Sequence, residues 1–207
     1  MTIAAHSLGL GALAALTFSA TLAVAQPAIP PAPTVVRGNV TAMTDTSLTV
    51  KTDKGPQVVG LTPAWSVAVM KPVAIDAIQP GSFIGTAEMP KKDGSAGTSL
   101  EVHVFPPGVK MGEGHYGWDL KRGSMMTNGT VGTVVAGKRG SRELDVTYPT
   151  GKRHLIVPAS VPVVQIGPGK RDMVKVGTPV FMVVQKTATG MMAGSVSVGE
   201  NGAKPPM

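Results

Sequence analysis

The sequence predicts an all-β protein built from two small OB-like barrels in tandem, joined by a Gly- and aromatic-rich connector. Three observations predict it. Apolar residues alternate with period two in short runs, as in Leu100-x-Val102-x-Val104, which is typical of half-buried strands. Turn residues bound these runs, and no window carries a helical apolar stripe. The pattern of residues 34–105 also recurs in residues 127–199.

The first 33 residues predict an export signal followed by a leader. Residues 8–25 are apolar and uncharged, and Ala23-Val24-Ala25 has the small residues that signal peptidase requires. We therefore expect residues 1–25 to be a cleaved signal peptide and the protein to be periplasmic or secreted. A retained membrane anchor is the alternative, but polar residues interrupt the stretch. Residues 26–33 (QPAIPPAP) predict an extended, Pro-stiffened leader.

Two turns predict β-hairpins at corresponding places in the two copies. Asp53-Lys54-Gly55 separates two apolar runs in the first copy, and Tyr148-Pro149-Thr150-Gly151 does so in the second. Other landmarks recur in the same order: Gly38-Asn39-Val40 with Gly129-Thr130-Val131, Leu48-Thr49-Val50 with Leu144-Asp145-Val146, and Leu61-Thr62-Pro63-Ala64 with Ile156-Val157-Pro158-Ala159. About five strands in about 70 residues fit an OB-type barrel better than a seven-stranded sandwich.

The first copy resembles a family of secreted bacterial barrel domains of unknown function. The resemblance lies in Val36–Met43 (V-x-G-x-V-x-x-M), Leu48–Lys51, Val59–Ala64 and Pro80–Ile84. The phrases Gly114–Leu120 and Ser124–Asn128 are similar to members sometimes labelled metal-transporter permeases. The resemblance implies a barrel fold and no established activity. A more distant similarity is to the small periplasmic copper chaperones, which are OB barrels with Met, His and Trp around the ion.

The connector, residues 106–126, concentrates the residues that could recognise a ligand. Tyr116, Trp118 and Asp119 are candidate ligand-binding residues, because functional side chains often lie on loops between rigid elements. The alternative is that Tyr116 and Trp118 fill the groove between the barrels, as aromatic residues commonly do. For a metal, Met111, His115, Met125 and Met126 are the candidate ligands, since thioether and imidazole groups suit copper.

Composition and charge narrow the function classes. With no Cys among 207 residues, disulfide frameworks, thiolate zinc sites and Cys nucleophiles are excluded. The net charge is +7, and residues 110–175 hold eleven Lys or Arg against five Asp or Glu. The pairs Lys138-Arg139 and Lys152-Arg153 therefore predict a basic patch for an acidic envelope protein or an anionic cell-envelope component, if their loops share one end of the barrel. Nucleic acid is the weaker candidate.

Catalytic signatures give no support for an enzyme. The sequence has no G-x-S-x-G elbow, and Gly112-x-Gly114-x-x-Gly117 lacks the strand and helix of a dinucleotide site. Alternation places His103 with Glu101 on a solvent-facing side of its strand. We expect residues 200–207 to form a flexible tail. The sequence thus favours a non-enzymatic binding module, with no required cofactor; copper handling is the alternative, and a hydrolase assembled from distant residues stays open.

Overall fold

The protein is described by a computed structural model covering residues 32–207, so the predicted signal peptide and residues 26–31 of the leader lie outside the described residues. The fold class is all-β, as predicted, and its regular helices are single 3₁₀ turns. The strands are β1 (Thr34–Thr44), β2 (Ser47–Thr52), β3 (Gly55–Pro72), β4 (Phe83–Pro90), β5 (Gly97–Ser99), β6 (Val102–Val104), β7 (Gly114–Gly117), β8 (Met125–Ala136), β9 (Arg142–Tyr148), β10 (Gly151–Val157), β11 (Val163–Pro168), β12 (Pro179–Thr187) and β13 (Gly190–Gly199). None of the helices in this part of the chain has the length and hydropathy needed to cross a bilayer.

Five strands close into a mixed β-barrel, which we call barrel A. The pairing runs β1–β2–β3–β13–β12 and returns to β1, and only β3 and β13 are parallel. The predicted hairpin at Asp53–Gly55 joins β2 to β3, and Gly55 takes φ +104°, which a side chain would disfavour. Alternate residues such as Leu48, Val50 and Val196 point inward and are fully buried. Barrel A therefore has an apolar core.

A second set of strands, which we call unit B, has the same pairing order. The pairing runs β4–β5–β10–β9–β8 and returns to β4, and only β5 and β10 are parallel. The predicted hairpin at Tyr148–Gly151 joins β9 to β10. The short strand β7 extends the edge of β8. Ile84, Leu144 and Leu155 are fully buried in the core of this unit.

The two sequence copies exchange strands, which differs from the tandem arrangement expected. Barrel A takes β1–β3 from residues 34–105 and β12–β13 from residues 127–199. Unit B takes β8–β10 from the second segment and β4–β5 from the first. The registers agree between the units: Val36 pairs with Met182 as Thr127 pairs with Thr86. The repeat is therefore present in space, but no single copy closes a barrel.

A third apolar cluster joins the units. Trp118 lies in it with Met70 and Phe181 from barrel A and Met126 from unit B. Trp118 is 8% exposed, and its ring centroid lies 6.1 Å from that of Phe181. The expectation of a flexible tail is wrong at its end, because Pro205 and Met207 are buried and Met207 joins this cluster. Strand β11 pairs with both β3 and β6, so one continuous sheet also joins the two units.

Candidate binding site at one end of unit B

The interior of unit B changes from apolar to polar along β4. Ile84, Thr86 and Glu88 alternate on one face of this strand, and all three are fully buried. Ile84 belongs to the apolar core, whereas the Thr86 hydroxyl meets the Ser99 hydroxyl at 3.0 Å. Because a strand places alternate residues on one face, Glu88 lies at the polar end of the same interior.

Glu88 is paired with Arg153 of β10. Arg153 Nε donates to Glu88 Oε1 at 2.8 Å, while Nη1 donates to the Gly94 carbonyl at 2.8 Å. Glu88 Oε2 and Arg153 Nη2 have no hydrogen-bond partner in the described structure, although both are buried. Burial raises the pKa of Glu88, and the attraction to Arg153 offsets this only in part. Keeping the Glu88 carboxylate charged in this buried position therefore costs folding free energy.

Gly97 of β5 makes room for this carboxylate. A Cβ at Gly97 would overlap the Glu88 carboxyl group, so a side chain at this position cannot coexist with the present geometry. Gly97 pairs with Pro90 at the end of the β4–β5 ladder. A strand glycine that lets another group approach the backbone closely is a recognised use of this residue.

An aromatic pair lies beside the ion pair. The rings of His115 and Tyr148 are stacked, with centroids 6.1 Å apart and an angle of 18° between the planes. His115 Nδ1 hydrogen-bonds Thr127 Oγ1 at 2.9 Å and lies 3.9 Å from Glu88 Oε1. Burial, followed by the charge of Arg153, lowers the pKa of His115, and burial raises the pKa of Tyr148. Both shifts favour uncharged rings.

Three loops meet at this end of unit B. The β4–β5 loop (91–96) receives the hydrogen bond from Arg153, and the β9–β10 turn (149–150) joins the strand end that carries Arg153. The β7–β8 loop (118–124) precedes Met125, which pairs with Glu88. These loops and the adjoining start of β10 carry five exposed basic residues, Lys91, Lys92, Lys121, Arg122 and Lys152. We call this surface the basic end.

Two acidic residues near the basic end accept hydrogen bonds from other parts of the protein. Hydrogen bonds from the backbone N–H and hydroxyl of Ser95 lower the pKa of Asp93. Asp119 accepts two hydrogen bonds from Arg37, at 2.8 and 3.0 Å. Within the part of the chain that the structure describes, none of the five basic residues forms a salt bridge. Their charged groups are therefore not held in ion pairs, and the carboxylates of Asp93 and Asp145 offset only part of the charge of Lys91 and Lys152.

Barrel A provides an internal comparison for the polar interior. Positions Thr127 and Thr86 of unit B correspond by register to Val36 and Met182, and Glu88 corresponds to Val184, which are buried apolar residues. Arg153 pairs with Val146 as Gln57 pairs with Val50. The same pairing order thus forms around an apolar interior. The buried ion pair is specific to unit B and is not required by the fold.

The structure uses the three connector residues predicted to bind a ligand in contacts within the protein. Trp118 fills the junction between the units, in agreement with the alternative interpretation. Asp119 binds Arg37, whose guanidinium also lies 5.6 Å from the Phe181 ring centroid. Tyr116 is half-buried, and its hydroxyl accepts a hydrogen bond from Asn128 Nδ2 at 2.7 Å. Trp118 and Asp119 therefore fix the connector to both units.

The four predicted basic residues do not form one patch. Lys138 and Arg139 lie in the β8–β9 loop, at the Arg142 end of β9, whereas Lys152 and Arg153 follow the Tyr148 end. Strand β9 spans seven residues, so about 20 Å separates its ends. Of the four, only Lys152 contributes an exposed cation to the basic end, because Arg153 is paired inside.

The four predicted copper ligands are not brought together. Met126 is 1% exposed and lies on the opposite face of β8 from Met125, because successive strand residues alternate. Met125 shares its face with His115, since Gly117 pairs with Met125 and His115 with Thr127. Met111 is 59% exposed. Among the described residues, no group of three or more His, Asp or Glu side chains is placed to hold a metal ion.

The expectation of a solvent-facing His103 is wrong. His103 and Glu101 are 3% and 0% exposed, and His103 Nδ1 hydrogen-bonds Glu101 Oε2 at 3.0 Å. Strand β6 lies between β4 and β11, so it has no open edge. Glu101 Oε1 accepts the Ala87 N–H at 2.7 Å, in the gap between β5 and β6. The alternation of Leu100–Phe105 could not reveal that both faces are covered.

No protein-family model matches this chain, and no curated protein and no solved structure is significantly similar to it.

Proposed function

We propose that this protein is an exported, non-enzymatic binding module whose basic end attaches it to an anionic component of the cell envelope. The observation that carries the proposal is that three loops with five unpaired basic residues meet at the basic end of unit B. Clustered charge of one sign attracts an opposite surface and raises the association rate. The connector contributes Lys121 and Arg122 and is otherwise fixed to both units.

The residue types favour an anionic surface over a single acidic group. Four of the five cations are exposed lysines, three on loops and one at the start of β10. Lysine acts as a mobile point charge, whereas arginine suits bidentate recognition of one carboxylate. The arginines in fixed contacts are Arg37, Arg142, Arg153 and Arg171, which bind Asp119, Asp76, Glu88 and the Trp65 carbonyl. Dispersed lysines fit phosphate-bearing lipids, where each adds about 1 kcal/mol.

The test compares two double variants that carry the same net charge. Lys91→Glu with Lys152→Glu reverses charge at the basic end, and Lys138→Glu with Arg139→Glu reverses it at the opposite end of β9. Binding to phosphatidylglycerol vesicles is measured by co-sedimentation, with phosphatidylcholine vesicles as the neutral control. We expect the first variant to lose at least about tenfold in affinity and the second to stay within about twofold.

Three outcomes count against the proposal. Equal loss in both double variants would assign binding to net charge alone, and binding that does not weaken between low and high salt would exclude an electrostatic surface. If the protein bound poly-glutamate but not phosphatidylglycerol vesicles, the partner of the basic end would be an acidic protein and not a lipid surface.

A further inference from the structure

We propose that a cleft between the connector and the start of β4 is a binding site for a small molecule that carries an anionic group on a flat apolar body. The cleft has a volume of about 320 Å³ and is lined by Phe83, Phe105, Lys110, Gln165 and Ser82, among others. This volume is at the lower end of the range for small-molecule sites. Phe83 and Glu88 lie five residues apart on β4, so about 17 Å separates this cleft from the basic end.

Two aromatic rings give the cleft an apolar wall. The rings of Phe83 and Phe105 pack edge to face, with centroids 5.3 Å apart and an angle of 65° between the planes. Phe83 is 6% exposed, so the half-buried Phe105 supplies most of the ring surface that a ligand can reach. An edge-to-face pair presents a ring surface against which a planar group packs favourably. This geometry selects the apolar body of the ligand.

Lys110 provides the counter-charge. Its ammonium nitrogen lies 5.8 Å from the Phe83 ring centroid, and it forms no salt bridge within the described residues. A cation over an aromatic face is attracted to the ring, which holds it above the cleft. The exposed side-chain amide of Gln165 lines the same cleft and can donate a second hydrogen bond. A carboxylate is the simplest group that satisfies both donors.

A tight turn of the connector forms one side of the cleft. The Val109 N–H donates to the Pro106 carbonyl at 3.0 Å, which closes a turn, and Gly108 within it takes φ +80°. Val109 and Met111 are 37% and 59% exposed, so solvent and a ligand can both reach these apolar side chains. An adjoining hollow of about 370 Å³ shares Pro106 and Gln165 with it and gives a longer ligand room.

The experiment titrates the isotope-labelled protein with 1-naphthoate and, as the neutral analogue, with 1-naphthamide. We expect naphthoate to shift the amide signals of Phe83, Phe105 and Gln165, and to bind roughly tenfold more tightly than naphthamide. Lys110→Met should remove this preference. Lys121→Met, a matched loss of charge at the basic end, should retain it.

Two results would overturn the site. One is that naphthoate changes amide signals only at the basic end, or changes none of the amide signals of the cleft residues. The other is a preference for naphthoate that survives Lys110→Met. Gln165→Leu gives an independent check, because it removes the amide donor without a change of charge; it should weaken naphthoate several-fold, and unchanged affinity would contradict the two-donor geometry.

Discussion

At the residue scale, the burial of Glu88 makes the stability of the fold depend on pH, because desolvation disfavours the charged carboxylate and Arg153 offsets this only in part. Burial raises the pKa of Glu88 above its ordinary value of 4.5, so the folded protein holds this proton more tightly than the unfolded chain does. The stability that protonated Glu88 contributes is therefore fully present below pH 4.5 and is lost as the pH rises through the folded pKa. Unit B keeps the pair although barrel A folds around Val184 at the corresponding position.

We accordingly expect the free energy of unfolding of Glu88→Gln to rise, relative to that of the unmodified protein, as the pH rises. The amide keeps an acceptor for Arg153 Nε but carries no charge to desolvate. Thermal or denaturant unfolding of both proteins between pH 4 and pH 8 measures the difference. The two free energies of unfolding should agree near pH 4 and diverge above it, and a difference that does not change with pH would show that Glu88 is charged at no net cost.

At the element scale, Glu101 lies between the end of β5 and the start of β6, and its side chain accepts a backbone hydrogen bond that no strand accepts there. Its carboxylate accepts the Ala87 N–H and contacts His103, and the Thr86 hydroxyl donates to its carbonyl. A side chain thus replaces a missing ladder bond, which a buried backbone N–H requires. Glu143 of β9, which is half-buried and lies 3.6 Å from His154 Nε2, accepts no backbone N–H of this kind within the described residues.

Glu101→Ala should therefore cost about 1–3 kcal/mol, because it leaves the buried Ala87 N–H without an acceptor. Amide hydrogen exchange should accelerate at Ala87 more than elsewhere in β4. Glu101→Gln keeps an acceptor and should lose much less, and Glu143→Ala should stay within about 0.5 kcal/mol. Slow exchange at Ala87 in Glu101→Ala would mean that another group, or water, satisfies this N–H.

The elements show how far local pattern carries a prediction. Alternation and turn chemistry correctly predicted strands and both hairpins, because a turn such as that at Gly55 is set by a few neighbouring residues. Burial of His103 was not predictable in this way, since it depends on β11, which lies about 60 residues further along the chain. The basic end was missed for the same reason: Lys91 and Lys152 come together only through the parallel pairing of β5 with β10.

At the scale of the whole molecule, the exchange of strands makes each unit depend on both halves of the chain. Sequence similarity identified the two copies but could not say which strands pair. Strands β4 and β12 hold equivalent positions in the two copies, so either strand could close either unit. The polar pair supplies a reason for the observed choice. In place of Val184 in barrel A, Glu88 would be buried without Arg153, and a buried unpaired charge is strongly destabilising.

The exchange predicts that the protein survives a cut in its connector. A specific protease site inserted between Lys110 and Met111, where Met111 is 59% exposed, would divide the chain into one fragment with β1–β6 and one with β7–β13. Each fragment lacks strands that close both units, so burial of residues such as Val36 against Met182 requires the other fragment. We expect the cleaved halves to co-elute in size-exclusion chromatography with an unchanged circular dichroism spectrum, and to separate only in denaturant. Two tandem barrels would instead part under native conditions and remain folded, and that result would contradict the strand exchange.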